Sequence, residues 1–149
     1  MNGLLLIISA LLSATIAQMA KIPLFYLTQR VWNWRVAFQA GGMPSSHTAL
    51  MVGLTTSTLL IYGWNNPYFS ISAAITLIVI YDAAGVRRQA GQQAAILNKL
   101  TSSLQELNMK LNIELLILPS NLKEVLGHSP IEVLGGIIIG MITALGVVK

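Results

Sequence analysis

The chain has 149 residues, of which 54% are hydrophobic and only 9% are charged, whereas roughly 25% of residues are charged in an ordinary soluble domain. This composition excludes a soluble globular protein and a disordered chain, and the lack of cysteine excludes a disulfide scaffold. Lys and Arg outnumber Asp and Glu by nine to five, but a nucleic-acid-binding protein would carry such charge on a polar surface. We therefore expect a membrane protein with no nucleic-acid partner.

Three long stretches of the sequence carry no Asp, Glu, Lys or Arg, namely residues 1–20, 36–81 and 133–148. A bilayer core requires about 20 mostly apolar residues as a helix, so the middle stretch, which turn-forming residues interrupt at 63–67, holds two helices. The pattern predicts an all-α integral membrane helical bundle, with short interfacial helices, that forms a single domain over residues 1–149. We expect its spans near residues 3–20, 45–62, 68–84 and 130–148.

The basic residues are distributed unevenly about these spans. Four spans place segments 21–44 and 85–129 on one side of the membrane, and these segments hold eight of the nine Lys and Arg residues. Cytoplasmic segments of membrane proteins are enriched in Lys and Arg. We expect the protein in a bacterial plasma membrane, with this side facing the cytoplasm.

A polar segment follows the third span and contains leucines at positions 97, 100, 104, 107 and 111. Steps of three and four residues are the seam spacing of a coiled coil, so the pattern predicts an amphipathic helix in an insertion over residues 88–118. The seam packs on the protein's own loops, lies on the membrane surface, or pairs with a second copy to form a homodimer through residues 97–118.

The loop before the second span reads Gly-Gly-Met-Pro-Ser-Ser-His at 41–47. Glycines let a backbone approach a ligand closely, and the N–H groups of Ser45, Ser46 and His47 have no partner within the helix if Pro44 begins it. Such a helix start attracts phosphate, and a histidine there is able to protonate a leaving oxygen. The alternative is a capped helix start with His47 among lipid headgroups.

The mouth of the last span reads Gly-His-Ser-Pro-Ile-Glu at 127–132. His128 and Glu132 are four residues apart, so a helix that starts near Pro130 lets the carboxylate reach the imidazole. A carboxylate on one ring nitrogen fixes the tautomer and leaves the other nitrogen free to attack. The alternative is a simple pair at a helix end. His47 and His128 stand at span entrances on the same predicted side, which favours one shared site.

Four basic residues, Lys21, Arg30, Arg87 and Arg88, leave the spans on that side too. Guanidinium groups bind phosphate oxygens bidentately, and Lys adds a point charge. Alternatively, each of these side chains extends to the headgroups. Asp82 is expected to pair with an Arg and is given no catalytic role.

Three segments of the sequence form a combined motif. They read Gly-Gly-Met-Pro-Ser-Ser-His-Thr-Ala at 41–49, Tyr-Asp-Ala-Ala-Gly-Val-Arg-Arg-Gln-Ala-Gly at 81–91 and Gly-His-Ser-Pro-Ile-Glu-Val-Leu-Gly-Gly at 127–136. Together they resemble the divergent branch of the type 2 phosphatidic acid phosphatase superfamily. That superfamily is related to acid phosphatases and vanadium-dependent haloperoxidases. The resemblance implies His128 as a nucleophile that forms a phosphohistidine, Glu132 as its orienting carboxylate and His47 as general acid. It further implies Lys21 and Arg30 as phosphate ligands, Ser45 and Ser46 as the phosphate-binding turn, and Arg87 or Arg88 as a phosphate clamp.

These inferences predict a membrane-bound, metal-independent phosphatase that acts on a lipid phosphate or pyrophosphate. No metal or other cofactor is expected, because Lys and Arg supply the charge stabilisation and the sequence has no cluster of the acidic ligands that Mg²⁺ prefers. The expected partners are the phosphorylated lipid and membrane lipids. One alternative is a catalytically inactive membrane protein that binds or transports a phosphorylated lipid headgroup, and another is a structural or assembly role.

Overall fold

A computed structural model describes residues 2–38, 41–111, 122 and 127–149. This part of the chain is helical and contains no β-strand. Its elements are α1 (Asn2–Gln29), a 3₁₀ helix (Trp34–Phe38), α2 (Ser46–Tyr62), α3 (Pro67–Tyr81), a π-helical turn (Asp82–Val86), α4 (Arg87–Leu111) and α5 (Pro130–Val148). The predicted all-α membrane bundle is confirmed.

Three helical stretches in the described part of the chain are long and apolar enough to cross a bilayer: Asn2–Gln29, Pro67–Leu107 and Pro130–Val148. The remaining predicted span, near residues 45–62, corresponds to α2. Its 17 residues lie at the lower end of the spanning range of about 17 to 25 residues. Helix α2 packs against α1, α3 and α5 and is the centre of the bundle. The count of four spans stays a prediction.

Helix α1 extends well beyond its predicted end near residue 20. It continues to Gln29 and contains Pro23, so Lys21 lies inside the helix. The residues after Lys21 are again apolar, Ile-Pro-Leu-Phe-Tyr-Leu at 22–27, and one cation within an apolar stretch does not end a helix. A single charge was therefore the wrong marker for the helix boundary.

The predicted amphipathic helix exists, but it is not separate from the third span. Residues Pro67–Leu107 form one continuous helical stretch of 41 residues, because no proline or turn sequence interrupts the chain between α3 and α4. The seam leucines of α4 are between 37% and 53% exposed, namely Leu97, Leu100, Leu104 and Leu107. Residues 112–118 lie outside the described residues, and the homodimer stays a prediction.

Helices α2 and α5 approach each other closely through small residues. A Cβ added to Gly140 would lie 2.7 Å from the Ala49 carbonyl oxygen and 2.9 Å from the Gly53 nitrogen, and one added to Gly136 would lie 2.5 Å from the Ser45 carbonyl oxygen. Small residues let helices pack closely in a bilayer, where burial of apolar surface gives little drive for association. This packing brings the first turns of α2 and α5 together.

Hydroxyl groups connect the other helices of the bundle. Ser57 Oγ of α2 donates to Ser9 Oγ of α1 at 2.6 Å, and the hydroxyls of Thr55 and Thr76 are 2.7 Å apart between α2 and α3. Large apolar side chains are instead exposed, including Leu4, Leu11, Ile138 and Ile142. Small and polar residues inside and large apolar residues outside are typical of a protein whose surface faces lipid.

The close contact between α2 and α5 predicts that Gly140→Ala destabilises the protein. The added methyl group would press on the backbone of α2, and such overpacking is expected to lower the free energy of unfolding by about 1–3 kcal/mol. Tryptophan fluorescence during thermal unfolding in detergent measures the loss. Gly146 lies on the same helix with nothing within 4 Å of an added Cβ, so Gly146→Ala is the matched control. Equal stability of the two variants would contradict the packing described.

Candidate functional site

The loop before α2 connects the start of α2 to the start of α5. Gly41 and Gly42 have φ angles of 94° and 80°, in the left-handed region that favours glycine. Ser45 is the N-cap of α2, and its Oγ accepts a hydrogen bond from the Thr48 N–H at 3.3 Å. The Ser45 N–H in turn donates to the Glu132 carbonyl oxygen at 2.9 Å. The structure therefore gives Ser45 a capping and docking role, and helix α2 begins after Ser45 rather than at Pro44.

The entrance of α5 holds an imidazole and a carboxylate together. The helix begins at Pro130, and Glu132 Oε2 lies 2.9 Å from His128 Nδ1, as the spacing of four residues predicts. The same oxygen accepts the Ser129 N–H at 3.2 Å in a capping box. Because Nδ1 is engaged by the carboxylate, Nε2 is the ring nitrogen left for another partner.

The π-helical turn after α3 contacts the residues that precede α5. The His128 N–H donates to the Ala83 carbonyl oxygen at 3.0 Å. The side chain of His128 is 8% exposed. A π-helical turn inserts one residue into the helical register and is frequent at functional sites. The backbone of His128 is thus attached to α3, while its ring is held from α5.

The two histidines of the chain line one pocket of about 230 Å³, which we call the histidine pocket. Its lining residues are His47, Ile78, Val79, Asp82, Ala83 and His128. Since a water molecule occupies about 30 Å³ of liquid, the pocket has room for a phosphate group with a few water molecules. Its polar side chains come from the starts of α2 and α5 and from the π-helical turn, and Ile78 and Val79 form an apolar wall.

A larger cavity of about 430 Å³ lies between α1, α2 and α3. Its lining is mainly apolar, with Tyr62, Tyr68, Thr58 and Ser72 as the polar members. None of the described residues that line this larger cavity is a histidine or carries a charge, so the smaller histidine pocket is the candidate site.

The predicted cations do not converge on the histidine pocket in the part of the chain that the structure describes. Lys21 is 2% exposed within the bundle and does not line the pocket. Arg30 is exposed and directly follows the last residue of α1, Gln29, which lies about 12 Å further along the helix axis than Lys21 at 1.5 Å per residue. Arg88 is exposed at the start of α4, and the side chain of Arg87 lies outside the described residues.

Two other positions complete the comparison with the sequence. Ser46 is partly exposed in the first turn of α2, and its predicted role in binding phosphate stays a prediction. Asp82, to which the sequence analysis gave no catalytic role, lines the pocket with both histidines. Its signal in the sequence was an acid at the end of an apolar span, where ionisable residues are often functional.

Comparison with known proteins agrees with this architecture. Residues 3–143 match the sequence model of the family described as "Divergent PAP2 family". The chain is also 37% identical over 147 residues to "Uncharacterized membrane protein YuiD" of Bacillus subtilis (strain 168), and the match covers 93% of this chain and 90% of that protein. No solved structure matches the chain.

The contacts of Glu132 predict a large effect of Glu132→Ala on stability. The change removes the partner of His128 Nδ1 and of the Ser129 N–H, and the lost bonds to a charged group are expected to lower the free energy of unfolding by about 2–3 kcal/mol. Denaturant unfolding in detergent micelles measures this change. Glu106→Ala is the control, because Glu106 forms an i,i+4 pair with Lys110 in which both side chains are more than 60% exposed, and such pairs contribute less than about 1 kcal/mol. A similar loss in both variants would contradict a structural role for Glu132.

Proposed function

The chain belongs to the divergent PAP2 family, and from this membership and the geometry of the histidine pocket we propose that it is a membrane phosphatase for a lipid phosphate or pyrophosphate. The observation that carries the proposal is that two imidazoles, one in the first turn of α2 and one just before α5, line one pocket, while Glu132 engages Nδ1 of one of them. A phosphatase that uses histidine as nucleophile needs one oriented imidazole and a second group that moves protons.

The proposed first step is in-line attack by His128 Nε2 on the phosphorus atom. A bond forms between Nε2 and phosphorus as the bond from phosphorus to the leaving oxygen breaks. His47 gives its proton to that oxygen, so the lipid leaves as a neutral hydroxyl compound, or as a shorter phosphate from a pyrophosphate. The proton on His128 Nδ1 stays on the ring and is donated in a hydrogen bond to the Glu132 carboxylate, whose negative charge stabilises the positive charge that develops on the ring.

The second step returns the enzyme to its starting state. A water molecule attacks phosphorus, His47 accepts a proton from that water, and the bond between phosphorus and Nε2 breaks. Phosphate leaves, and His128 recovers its free ring nitrogen. His47 serves as acid in the first step and as base in the second, so the two-step cycle leaves no net change in the protein's protons.

Positive charge for the phosphate is proposed to come from Arg87 and Arg88. These residues directly follow the π-helical turn whose first residues, Asp82 and Ala83, line the pocket. Arginine binds phosphate oxygens through a planar fork. In this proposal no metal takes part in the reaction, and the assay below includes a chelator for that reason.

A lipid substrate is supported by the surroundings of the pocket. Ile78 lines the histidine pocket and also a neighbouring apolar cavity of about 690 Å³ on α3 and the π-helical turn. A phosphate in the histidine pocket would therefore have an apolar surface beside it for a hydrocarbon tail. We place the site on the cytoplasmic side of a bacterial plasma membrane, because the basic residues of the chain are concentrated at this end of the spans.

Phosphate release tests the proposal. Purified protein in detergent with EDTA is expected to release phosphate from phosphatidic acid or a polyprenyl pyrophosphate in mixed micelles. His128→Ala is expected to reduce the rate by at least about a thousandfold, and His47→Ala by about 10²- to 10⁴-fold, while Glu106→Ala retains the wild-type rate. Acid-labile labelling of the protein by a ³²P substrate, absent in His128→Ala, would identify the phosphohistidine.

The same assay has an outcome that contradicts the proposal. Release that His128→Ala leaves unchanged, or no release from either substrate, would exclude this phosphatase mechanism. Saturable binding of phosphatidic acid without turnover would instead support a protein that binds or transports phosphorylated lipid headgroups.

A further inference from the structure

An exposed aromatic cluster lies at the end of α1 and in the residues that follow it. The ring centroids of Tyr26 and Trp32 are 5.7 Å apart, those of Trp32 and Trp34 are 5.3 Å apart, and both pairs meet edge to face. Trp34 is 64% exposed, and Phe38, at the end of the 3₁₀ helix, is 88% exposed. An exposed apolar patch of this kind marks a contact surface for a membrane or for another protein.

This cluster lies where α1 leaves the hydrocarbon core of the bilayer. The apolar sequence of α1 begins near residue 3, and a core of about 30 Å takes about 20 helical residues, so the last two turns of the 28-residue helix reach the headgroup region. The 3₁₀ helix is attached beside α1, because Gln18 Nε2 donates to the Ala37 carbonyl oxygen and Val36 and Ala37 are buried. The cluster is therefore at the level of the membrane where Trp and Tyr rings are enriched.

Two arginines lie in the same segment. Arg30 and Arg35 are both exposed, and neither forms an ion pair in the part of the chain that the structure describes. The sequence contains no Asp or Glu before Asp82, so α1, the 3₁₀ helix, α2 and α3 supply no acid to balance these charges. An anionic phospholipid matches both properties of the segment, since its acyl chains are apolar and its phosphate oxygens bind guanidinium groups.

We propose that this segment binds the headgroups of anionic phospholipids in the surrounding leaflet. We call it the aromatic-arginine surface, and its members are Tyr26, Arg30, Trp32, Trp34, Arg35 and Phe38. In this assignment Arg30 binds membrane lipid outside the histidine pocket and not the substrate phosphate inside it. Lipid binding of this kind needs no turnover, so it does not rest on the proposed phosphatase function.

Quenching of tryptophan fluorescence by brominated lipids tests the binding. The chain has three tryptophans, so single-tryptophan proteins report on separate places. One protein keeps Trp34 and carries Trp32→Phe and Trp64→Phe, and the other keeps Trp64 and carries Trp32→Phe and Trp34→Phe. Each is reconstituted in phosphatidylcholine vesicles with brominated phosphatidylglycerol or, separately, brominated phosphatidylcholine. The ratio of the two quenching constants measures the preference for anionic lipid.

A preference for phosphatidylglycerol of about fivefold or more is expected at Trp34, because one cation near an anionic membrane surface strengthens the attraction by about this factor. Trp64 is the internal control. It lies in the turn between α2 and α3, where residues 63–67 carry no charge, so a preference below about twofold is expected there. Raising NaCl to about 0.5 M is expected to reduce the preference at Trp34, since salt screens exposed charges.

Substitutions of the arginines assign the effect to their charge. Arg30 has a φ angle of 57°, in the region that favours glycine, so Arg30→Gly removes the charge and keeps the turn that ends α1. Arg30→Gly and Arg35→Gln are each expected to lower the preference at Trp34 by about threefold to fivefold, with no fall in the thermal unfolding midpoint. Arg30→Lys keeps the charge, and Lys99→Gln removes an exposed charge on α4. Both controls are expected to keep the preference within about twofold of the parent value.

Equal quenching of Trp34 by the two lipids, or a preference that neither arginine substitution reduces, would overturn the proposal. No quenching of Trp34 by either lipid would also overturn it, because other protein, from this chain or from a second copy, would then cover the surface. Phosphate release is measured separately. A protein that releases no phosphate but shows the expected lipid preference would fail as a phosphatase and retain the aromatic-arginine surface, whereas release without the preference would leave only the phosphatase function.

Discussion

Glu132 joins the entrance of α5 to the start of α2, two parts of the molecule that are far apart in the sequence. Its carboxylate oxygen Oε2 contacts His128 Nδ1 and the Ser129 N–H. The backbone carbonyl of the same residue accepts the Ser45 N–H from the start of α2. These protein groups partner a carboxylate whose side chain is only 22% exposed. One residue thereby orients an imidazole and connects α5 to the start of α2.

The histidine pocket is formed by the contacts of Glu132 and by the close packing of small residues between α2 and α5. Gly136 and Gly140 allow α5 to lie against the backbone of α2, which brings the entrances of both helices to the same place. The hydrogen bond from the His128 N–H to the Ala83 carbonyl adds the end of α3. Backbone hydrogen bonds thus connect the starts of α2 and α5 and the π-helical turn, which together supply the polar side chains of the pocket.

The sequence predicted the helices well because stretches without charge report directly on the bilayer. It also predicted the contact between His128 and Glu132, since residues four apart share one face of a helix. The end of α1 was wrong because apolar residues continue the helix after Lys21 as far as Gln29, so a single charge does not mark where the helix ends. The π-helical turn and the place of Asp82 in the pocket were missed for a related reason, since one extra residue in a helix leaves no periodic signal. Arg30 was grouped with the site by its predicted membrane side and by the family resemblance, and neither of these brings residues into contact.

A structure of the complex of the protein with orthovanadate in lipid nanodiscs tests the central claim most directly. Vanadate imitates the five-coordinate phosphorus of the transition state, and such analogues bind where the reaction takes place. The account predicts vanadium bonded to His128 Nε2, with His47 within hydrogen-bond distance of an apical oxygen and Glu132 still on Nδ1. Vanadate bound away from both imidazoles, or histidines that face separate spaces, would contradict it.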